Sequence, residues 1–191
     1  MRRSALIALA ASLSVAACSS APERTVPAAP ATDPAPSVGT AQQAVANLAS
    51  ASGSLVSGKV TLTPMGNGVH ITGEVGGLPP NSQHGFHVHE KGDCSAADAS
   101  SAGAHFNPFN TAHGKAASGP HHAGDMDNIV SDAQGVAKIN AHAVGVTLGG
   151  GAANDIAGRG LIVHAAPDDY RTQPTGNAGA RLACGVITVT R

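Results

Sequence analysis

The stretch His84-Gly85-Phe86-His87-Val88-His89-Glu90 decides the fold of this chain. In a strand, successive side chains alternate between faces, so Phe86 and Val88 point one way while His87 and His89 point the other. The two imidazoles then stand roughly 6 to 7 Å apart along the backbone, which lets them converge on one metal ion. The stretch therefore predicts a strand with an apolar core face and half of a metal site, against the alternative of two polar residues on a wet face.

Further potential ligands follow downstream, and together they exceed what one ion needs. Six histidines and one aspartate are more than one four-coordinate ion uses, so the sequence predicts two metals. Imidazole-only ligation from strands suits copper or zinc, whereas three histidines and a carboxylate in a loop suit a closed zinc site. His105 lies between the two sets, and its two ring nitrogens would allow it to bind both ions. The residues downstream of the opening stretch are His105, His113, His122, Asp125 and His164.

The composition predicts an all-β fold, an antiparallel sandwich or barrel of short strands. Charged residues make up 12% of the 191 residues and aromatic residues 2%, and there are 24 glycines, which favours short β-branched strands and many turns. Strands are predicted near residues 54–63, 69–75, 84–90, 136–140, 160–165 and 184–190, with a tight turn at Asn67-Gly68. His70 and His142 are interpreted as solvent-facing. Residues 91–135 form a long loop without periodicity, which is usually functional.

The first 51 residues are predicted to lie outside the folded domain, which is placed at residues 52–191. Residues 1–17 have a basic start, a short apolar run and small residues before Cys18, which indicates a bacterial signal peptide too short to span a membrane. The ending resembles a lipobox, so Cys18 is predicted to be lipidated, with ordinary cleavage as the alternative. Residues 18–51 are interpreted as a Pro/Ala-rich tether in which Ala41 to Ala49 form a short helix.

Export and charge limit the location and the partners. The expected location is the bacterial periplasm, with the chain held at the membrane through the lipid at Cys18. The formal net charge of −1 argues against nucleic acid or an anionic membrane face as a partner. In an oxidising compartment Cys94 and Cys184 are expected to pair, although thiolate ligation of a metal is the alternative.

Five motifs follow one another along the chain. They are Gly85-Phe86-His87-Val88-His89-Glu90-x-Gly92-Asp93-Cys94, Ala104-His105-Phe106-Asn107-Pro108, His122-x-Gly124-Asp125, Val163-His164 and Gly176-Asn177-Ala178-Gly179-x-Arg181-Leu182-Ala183-Cys184-Gly185. From about residue 52 to the end, the chain with these motifs resembles the copper/zinc superoxide dismutases of the bacterial exported type. The resemblance implies a Greek-key barrel, the Cys94–Cys184 disulfide, and disproportionation of superoxide to oxygen and hydrogen peroxide with copper and zinc as cofactors.

The resemblance also implies which residues hold each ion. Copper would be held by His87, His89, His105 and His164. Zinc would be held by the shared His105 with His113, His122 and Asp125. His121 competes with His122 for the zinc role, and the x-x-Asp spacing favours His122.

Two further residues receive roles by resemblance. Asp168 would link His87 to His113 and hold their rings in register, the alternative being a solvated loop acid. Arg181 would attract the superoxide anion beside the copper, since a guanidinium supplies charge and paired donors, although a plain surface arginine is the alternative. His105 would carry a proton during turnover.

Several alternatives stay open at the level of sequence. A non-catalytic metal-binding module would be expected to lack a copper histidine or Arg181, and this chain lacks neither. A zinc hydrolase would need an open zinc position and a general base, and no glutamate is expected beside the cluster. A homodimer is compatible with the resemblance. Lys91, Lys115 and Arg171 are candidates for steering the anion.

Overall fold

The computed structural model describes residues 39–116 and 118–191. The predicted signal peptide, Cys18 and the tether up to residue 38 lie outside these residues. Among the described residues, no helix is long and apolar enough to cross a membrane.

Ten strands and one short 3-10 turn make up the regular structure of residues 39–116 and 118–191, so the predicted all-β class is confirmed. The strands are β1 (Ala44–Ser50), β2 (Ser57–Met65), β3 (Gly68–Gly76), β4 (Gln83–His84), β5 (Phe86–His89), β6 (Ile129–Val130), β7 (Ala137–Val144), β8 (Gly160–His164), β9 (Arg181–Val186) and β10 (Thr188–Val189). The 3-10 turn covers Ser100–Ala102.

One curled antiparallel sheet contains eight of these strands. Seven lie in the order β5-β8-β9-β1-β2-β3-β7, and β10 pairs with β1. β4 and β6 form a separate two-stranded ladder. The sheet places β5 beside β8, which brings the opening histidine strand next to the strand that ends in His164.

β1 corrects two sequence predictions, the tether over residues 18–51 and the helix from Ala41 to Ala49. Residues 44–50 form a strand between β9 and β2. Ala44, Ala46 and Leu48 are buried at alternate positions, which is the two-residue period of a strand. Pairing on both sides outweighs the helix propensity of alanine, because propensity is a weak prior that tertiary context overrides. The folded domain therefore begins before residue 52.

The β2–β3 turn also lies one residue earlier than predicted. Met65 pairs with Gly68, so the two turn residues are Gly66 and Asn67 rather than Asn67-Gly68. Gly66 has a φ of 60°, which glycine adopts at no steric cost at the first central position of a hairpin turn.

β5 is buried on both faces, and this explains how the fold positions the site. Phe86 and Val88 are 0% exposed within the main apolar core, as the alternation predicted. His87 and His89 are 0% and 1% exposed on the other face, which is covered by residues 103–125. Hence the histidine face meets a loop rather than solvent.

The predicted pairing of Cys94 with Cys184 is confirmed. The two residues form a disulfide with a Cα–Cα distance of 5.7 Å and a sequence separation of 90. The bond joins the loop after β5 to β9, and closing a loop of this length contributes roughly 4 to 5 kcal/mol in the chain-entropy model.

Candidate metal centre

Two groups of four potential metal ligands lie side by side, and they share one residue. Within each group the potential donor atoms all lie within 4.8 Å of one another. The strand group is His87, His89, His105 and His164, and the loop group is His105, His113, His122 and Asp125. All seven residues are buried. The structure thus brings together every residue that the sequence selected as a ligand.

The strand group is built by the β5–β8 ladder. His87 lies opposite Ile162 in that ladder, and the backbone N–H of His164 donates to Gly85 O at 2.9 Å. His89 Nε2 and His164 Nε2 are 3.3 Å apart. His105 joins the strand group through a bridge opposite His89, with its ring centroid 4.1 Å from that of His87.

The loop group is organised around the fully buried carboxylate of Asp125. Its Oδ1 lies 2.8 Å from His105 Nδ1, and its Oδ2 accepts the backbone N–H groups of His122 at 2.8 Å and Gly114 at 3.2 Å. The His113 Nδ1 lies 3.0 Å from Oδ2. The residues His122-x-x-Asp125 therefore form a compact turn, in which the Asp125 N–H also donates to His122 O.

Unpartnered ring nitrogens test whether these residues fit metal ions. Within the two ligand groups, four buried nitrogens have no hydrogen-bond partner, namely His87 Nδ1, His105 Nε2, His113 Nδ1 and His122 Nδ1. The 3.0 Å contact of His113 Nδ1 with Asp125 lacks hydrogen-bond geometry. A buried polar atom without a partner is costly, and neutral imidazole is a common metal ligand. The nitrogen and oxygen donor set suits zinc and copper.

Burial keeps three imidazoles of the strand group, those of His89, His105 and His164, in the neutral form that binds a metal. Burial and neighbouring histidines lower the pKa of His89 to about 2, of His164 to about 3 and of His105 to about 4, although the Asp125 carboxylate opposes the shift at His105. The pKa of the Asp125 carboxyl is held far below its usual value: burial opposes this shift, but the hydrogen bond to His105 and the nearby imidazoles of His113 and His122 outweigh it. Asp125 is therefore ionised.

Asp168 connects the two groups, as the sequence predicted, and it is 2% exposed. His87 Nε2 lies 2.9 Å from its Oδ2, and His113 Nε2 lies 3.0 Å from its Oδ1. The carboxylate fixes one nitrogen of each ring and leaves the Nδ1 atoms free for other partners. The alternative of a solvated loop acid is wrong.

The carboxylate of Asp168 also acts on the charge of His113. Burial lowers the pKa of His113, but the nearby carboxylates of Asp125 and Asp168 outweigh this effect and raise it to about 9. The metal-free protein therefore holds His113 as an imidazolium at neutral pH.

Arg181 begins β9 directly opposite His164. Its guanidinium donates to Ala99 O at 2.6 Å and to Gly103 O at 2.5 Å. Two backbone carbonyls therefore fix the cation beside the strand group, because the planar fork has little freedom once both bonds form.

The three candidate steering residues have other partners or lie in solvent. Lys91 Nζ lies 4.0 Å from Glu90 Oε1, and Lys115 Nζ lies 5.3 Å from the centre of the Tyr170 ring. The side chain of Arg171 is exposed.

Two supporting residues were missed by the sequence reasoning. His84 is 1% exposed, and its Nδ1 lies 2.8 Å from His164 O while its Nε2 lies 2.7 Å from Ser82 Oγ. Gly176 has a φ of 65°, and a Cβ there would lie 1.8 Å from Asp168 Oδ1 and 2.6 Å from His113 Nε2. The position of His84 directly before the ligand strand was an available signal, whereas the motif that begins at Gly176 did not indicate the contact of Gly176 with Asp168.

His121 lies outside both groups. Its Nδ1 is 2.7 Å from His122 O, and the side chain is half-buried. The spacing argument that favoured His122 over His121 therefore agrees with the geometry.

The sequence profile of the copper/zinc superoxide dismutases (SODC) matches residues 56–187. The chain belongs to the copper/zinc superoxide dismutase family. Family membership implies copper and zinc, and the two ligand groups are able to hold them.

Relatives of this superoxide dismutase chain are 43–44% identical to it over about two thirds of its length. Superoxide dismutase [Cu-Zn] 2 of Aquifex aeolicus (strain VF5) is 43% identical over 135 residues, which are 69% of this chain and 79% of the relative. Superoxide dismutase [Cu-Zn] 1 of the same organism is 44% identical over 133 residues, covering 68% and 79%. Superoxide dismutase [Cu-Zn] of Paramecium bursaria Chlorella virus 1 is 43% identical over 138 residues, covering 69% and 72%.

Solved structures agree with the fold of this family member. The crystal structure of the clock protein EA4 has a TM-score of 0.71 and 37% identity, and the match covers 81% of this chain and 98% of that one. A double mutant of a SOD-like protein from Bacillus subtilis has a TM-score of 0.68 and 37% identity, covering 75% and 96%.

Proposed function

We propose that this chain is an exported superoxide dismutase that converts two superoxide ions and two protons to oxygen and hydrogen peroxide. The observation that carries the proposal is the position of His105, which belongs to both ligand groups. Its Nδ1 lies at Asp125 in the loop group, and its Nε2 is buried without a hydrogen-bond partner. One imidazole is therefore placed to serve two ions at once.

The ligand roles follow from the two donor sets. We assign copper to His87, His89, His105 and His164, because an all-imidazole group suits a redox-active copper ion. We assign zinc to His105, His113, His122 and Asp125, because three imidazoles and one carboxylate complete a closed tetrahedral site.

The bound copper would supply a one-electron couple that accepts an electron from one superoxide and returns it to a second. Zinc would have a structural role. His105 is the residue that we expect to hold and release a proton, at Nε2, because that atom has no other partner while Nδ1 is fixed at Asp125. Burial keeps this nitrogen away from competing water.

Arg181 would draw the anionic substrate toward the strand group. Two carbonyl oxygens hold the guanidinium in place, and the side chain is half-buried, so its charge is screened less than that of a surface arginine. A fixed cation with paired N–H donors suits a small dioxygen anion.

Asp168 is a positioning residue in this proposal. It contacts one ring of each ligand group through separate oxygens, so it orients both rings and fixes their tautomers. Its backbone is held in turn by Asn128, whose Oδ1 accepts the Asp168 N–H at 2.8 Å.

The test is superoxide dismutation by the purified chain loaded with copper and zinc, beside the His164→Ala variant. We expect turnover to fall by several orders of magnitude in the variant, because it removes one of the four imidazoles of the strand group. The control is His142→Ala, which removes a histidine outside both groups and should retain turnover. If the unsubstituted chain bound both metals tightly without turnover, it would be a metal-binding module and the proposal would fail.

The cellular location is a separate part of the proposal. We infer that the chain is exported and anchored through a lipid on Cys18 in the periplasm, on the basis of the sequence of residues 1–18. In cells, the Cys18→Ser variant should move from the membrane fraction to the soluble fraction. Equal membrane association of both forms would contradict the anchor without affecting the proposed activity.

A further inference from the structure

Three imidazoles lie outside both ligand groups and away from the buried core. The chain has ten histidines, six of them in the two groups, and His84 is buried. The remaining three are His70, His121 and His142, all half-buried. His70 and His142 are directly opposite each other in the β3–β7 ladder, whereas His121 lies in the loop beside the site.

The side chains of His70 and His142 project from the outer face of the sheet. On β3, Val69 and Ile71 are 0% exposed in the core, and Ala143 is likewise buried on β7. Because neighbouring side chains in a strand point to opposite faces, His70 and His142 both point outward. Their position is therefore reachable from solvent.

Cross-strand pairing places the Cβ atoms of His70 and His142 close enough for their rings to reach a common ion. Directly opposite residues have Cβ atoms about 4.5 to 5.5 Å apart, so two imidazole rings can each place one nitrogen on a common ion. Imidazole suits zinc, copper and nickel, whereas magnesium and calcium prefer oxygen ligands. The pair thus selects for later transition metals.

Amide oxygens lie beside both rings. His70 Nε2 lies 2.7 Å from Asn140 Oδ1, and His142 Nε2 lies 3.3 Å from Asn67 Oδ1. The His142 Nδ1 is buried and has no hydrogen-bond partner. To bind one ion together, the two rings must rotate away from these amides, and this rotation leaves the β3–β7 backbone unchanged. The Asn140 amide oxygen then stays near enough to act as a further metal ligand.

The surrounding charges do not repel a cation. Lys59 and Lys138 lie in one cross-strand row with Glu74 between them. That row is four residues along β3 from His70, or about 13 Å. The row in between contains uncharged side chains, among them Thr72 and Asn140.

We propose that His70 and His142 bind one divalent Cu²⁺, Ni²⁺ or Zn²⁺ ion at an open, exchangeable site on the outer face of the sheet. The two imidazoles supply the nitrogen ligands, and water or the Asn140 amide oxygen completes the coordination. This outer site is separate from the two buried groups, so it does not depend on the proposed function.

The test uses the full chain with copper and zinc already in the buried groups and Ni²⁺ as the probe. Equilibrium dialysis should show one additional Ni²⁺ per chain. In NMR spectra, paramagnetic Ni²⁺ should broaden the amide signals of residues 68–72 and 140–144 first. Broadening centred on His121 instead, or no additional Ni²⁺, would overturn the proposal.

Substitutions of His70 and His142 test whether the additional Ni²⁺ ion is bound by these two residues. His70→Ala and His142→Ala should each weaken Ni²⁺ binding by about tenfold or more, because the second imidazole of a chelate acts at a high effective concentration. The double variant should lose the additional ion, while the control Thr72→Ala on the same face should retain it. Unchanged Ni²⁺ binding by a double variant that keeps its buried copper and zinc would overturn the proposal. If the double variant did not fold, the broadening pattern of the unsubstituted chain would decide.

Discussion

At the scale of single residues, the candidate centre depends on side chains that hold ligands as much as on the ligands themselves. Asp168 touches His87 and His113, and His84 contacts the backbone carbonyl of His164. Such outer contacts orient metal ligands and tune their basicity. The ligand groups are therefore already assembled by the protein's own hydrogen bonds.

Asp168→Asn should weaken metal binding by roughly 10- to 100-fold. An amide presents one oxygen acceptor and one N–H₂ donor, so it cannot accept hydrogen bonds from both His87 and His113. Competition with a chelator measures the effect for copper and for zinc separately.

The matched control is Asp169→Asn. The Asp169 carboxylate is exposed and accepts hydrogen bonds from Thr172 and from the Arg171 N–H, and it touches neither ligand group. Equal loss of metal binding in both variants would contradict the positioning role of Asp168.

The sequence predicted the ligands and the supporting carboxylate of Asp168, but it did not predict the supporting roles of His84 and Gly176. Imidazoles and carboxylates bind metals through their own chemistry, so their identity and local spacing, as in His122-x-x-Asp125, are enough to indicate a site. The contact of His84 with His164 O spans 80 residues, and the close approach of Gly176 to Asp168 depends on the path of a loop. Neither follows from a local pattern.

At the scale of elements, β1 shows where a compositional argument fails. The segment is rich in alanine and lacks large aromatic or β-branched runs, so its composition indicates the end of a tether with a short helix. Its place is set by pairing with β2 on one side and with β9 and β10 on the other. Non-local pairing of this kind overrides local propensity.

A chain that begins at residue 52 should be far less stable than one that begins at residue 39. Removal of β1 exposes the edges of β2 and β9 and uncovers the core positions next to Ala44, Ala46 and Leu48. The loss should exceed about 5 kcal/mol, which is comparable to the whole stability of many domains. Denaturant unfolding of the two chains, each loaded with copper and zinc, measures the difference.

Size-exclusion chromatography adds a second readout for the two chains. Unpaired strand edges promote association between chains, so the shorter chain should elute as aggregates. Equal unfolding midpoints and a monodisperse shorter chain would show that β1 is dispensable.

At the scale of the whole molecule, the buried histidines couple metal content to pH. Eight of the polar groups in the buried core belong to the two ligand groups or to Asp168. In the metal-free protein, burial holds His89, His164 and His105 neutral, with pKa values of about 2, 3 and 4. The same groups titrate near their ordinary value of about 6.5 when the chain is unfolded.

The metal-free protein should therefore be most stable near pH 6.5. Below that pH the unfolded chain binds protons at His89, His105 and His164 that the folded state does not bind. Each of these three imidazoles therefore lowers the free energy of unfolding by about 1.4 kcal/mol per pH unit. Above it, the unfolded chain releases the His113 proton near pH 6.5 while the folded state, with the raised His113 pKa of about 9, retains it, so stability falls toward pH 9. Thermal unfolding of the metal-free chain between pH 4.5 and 9 measures both the decrease in stability below pH 6.5 (the acid limb) and the decrease above it (the alkaline limb).

The control is the same chain loaded with copper and zinc. Bound ions keep their ligands deprotonated, so the acid limb should move to lower pH and the alkaline limb should disappear. A metal-free chain with constant stability from pH 4.5 to 6.5 would contradict the neutral, buried state of these imidazoles.

Gly176 limits how the loop between β8 and β9 can vary. Its neighbours Thr172, Pro174 and Ala180 are exposed, so a saturation library should accept many residue types there. At position 176 even the smallest added side chain would overlap the Asp168 carboxylate. Among functional library members this position should retain glycine alone, so selection for enzyme activity would act on a residue that contributes no chemical group of its own.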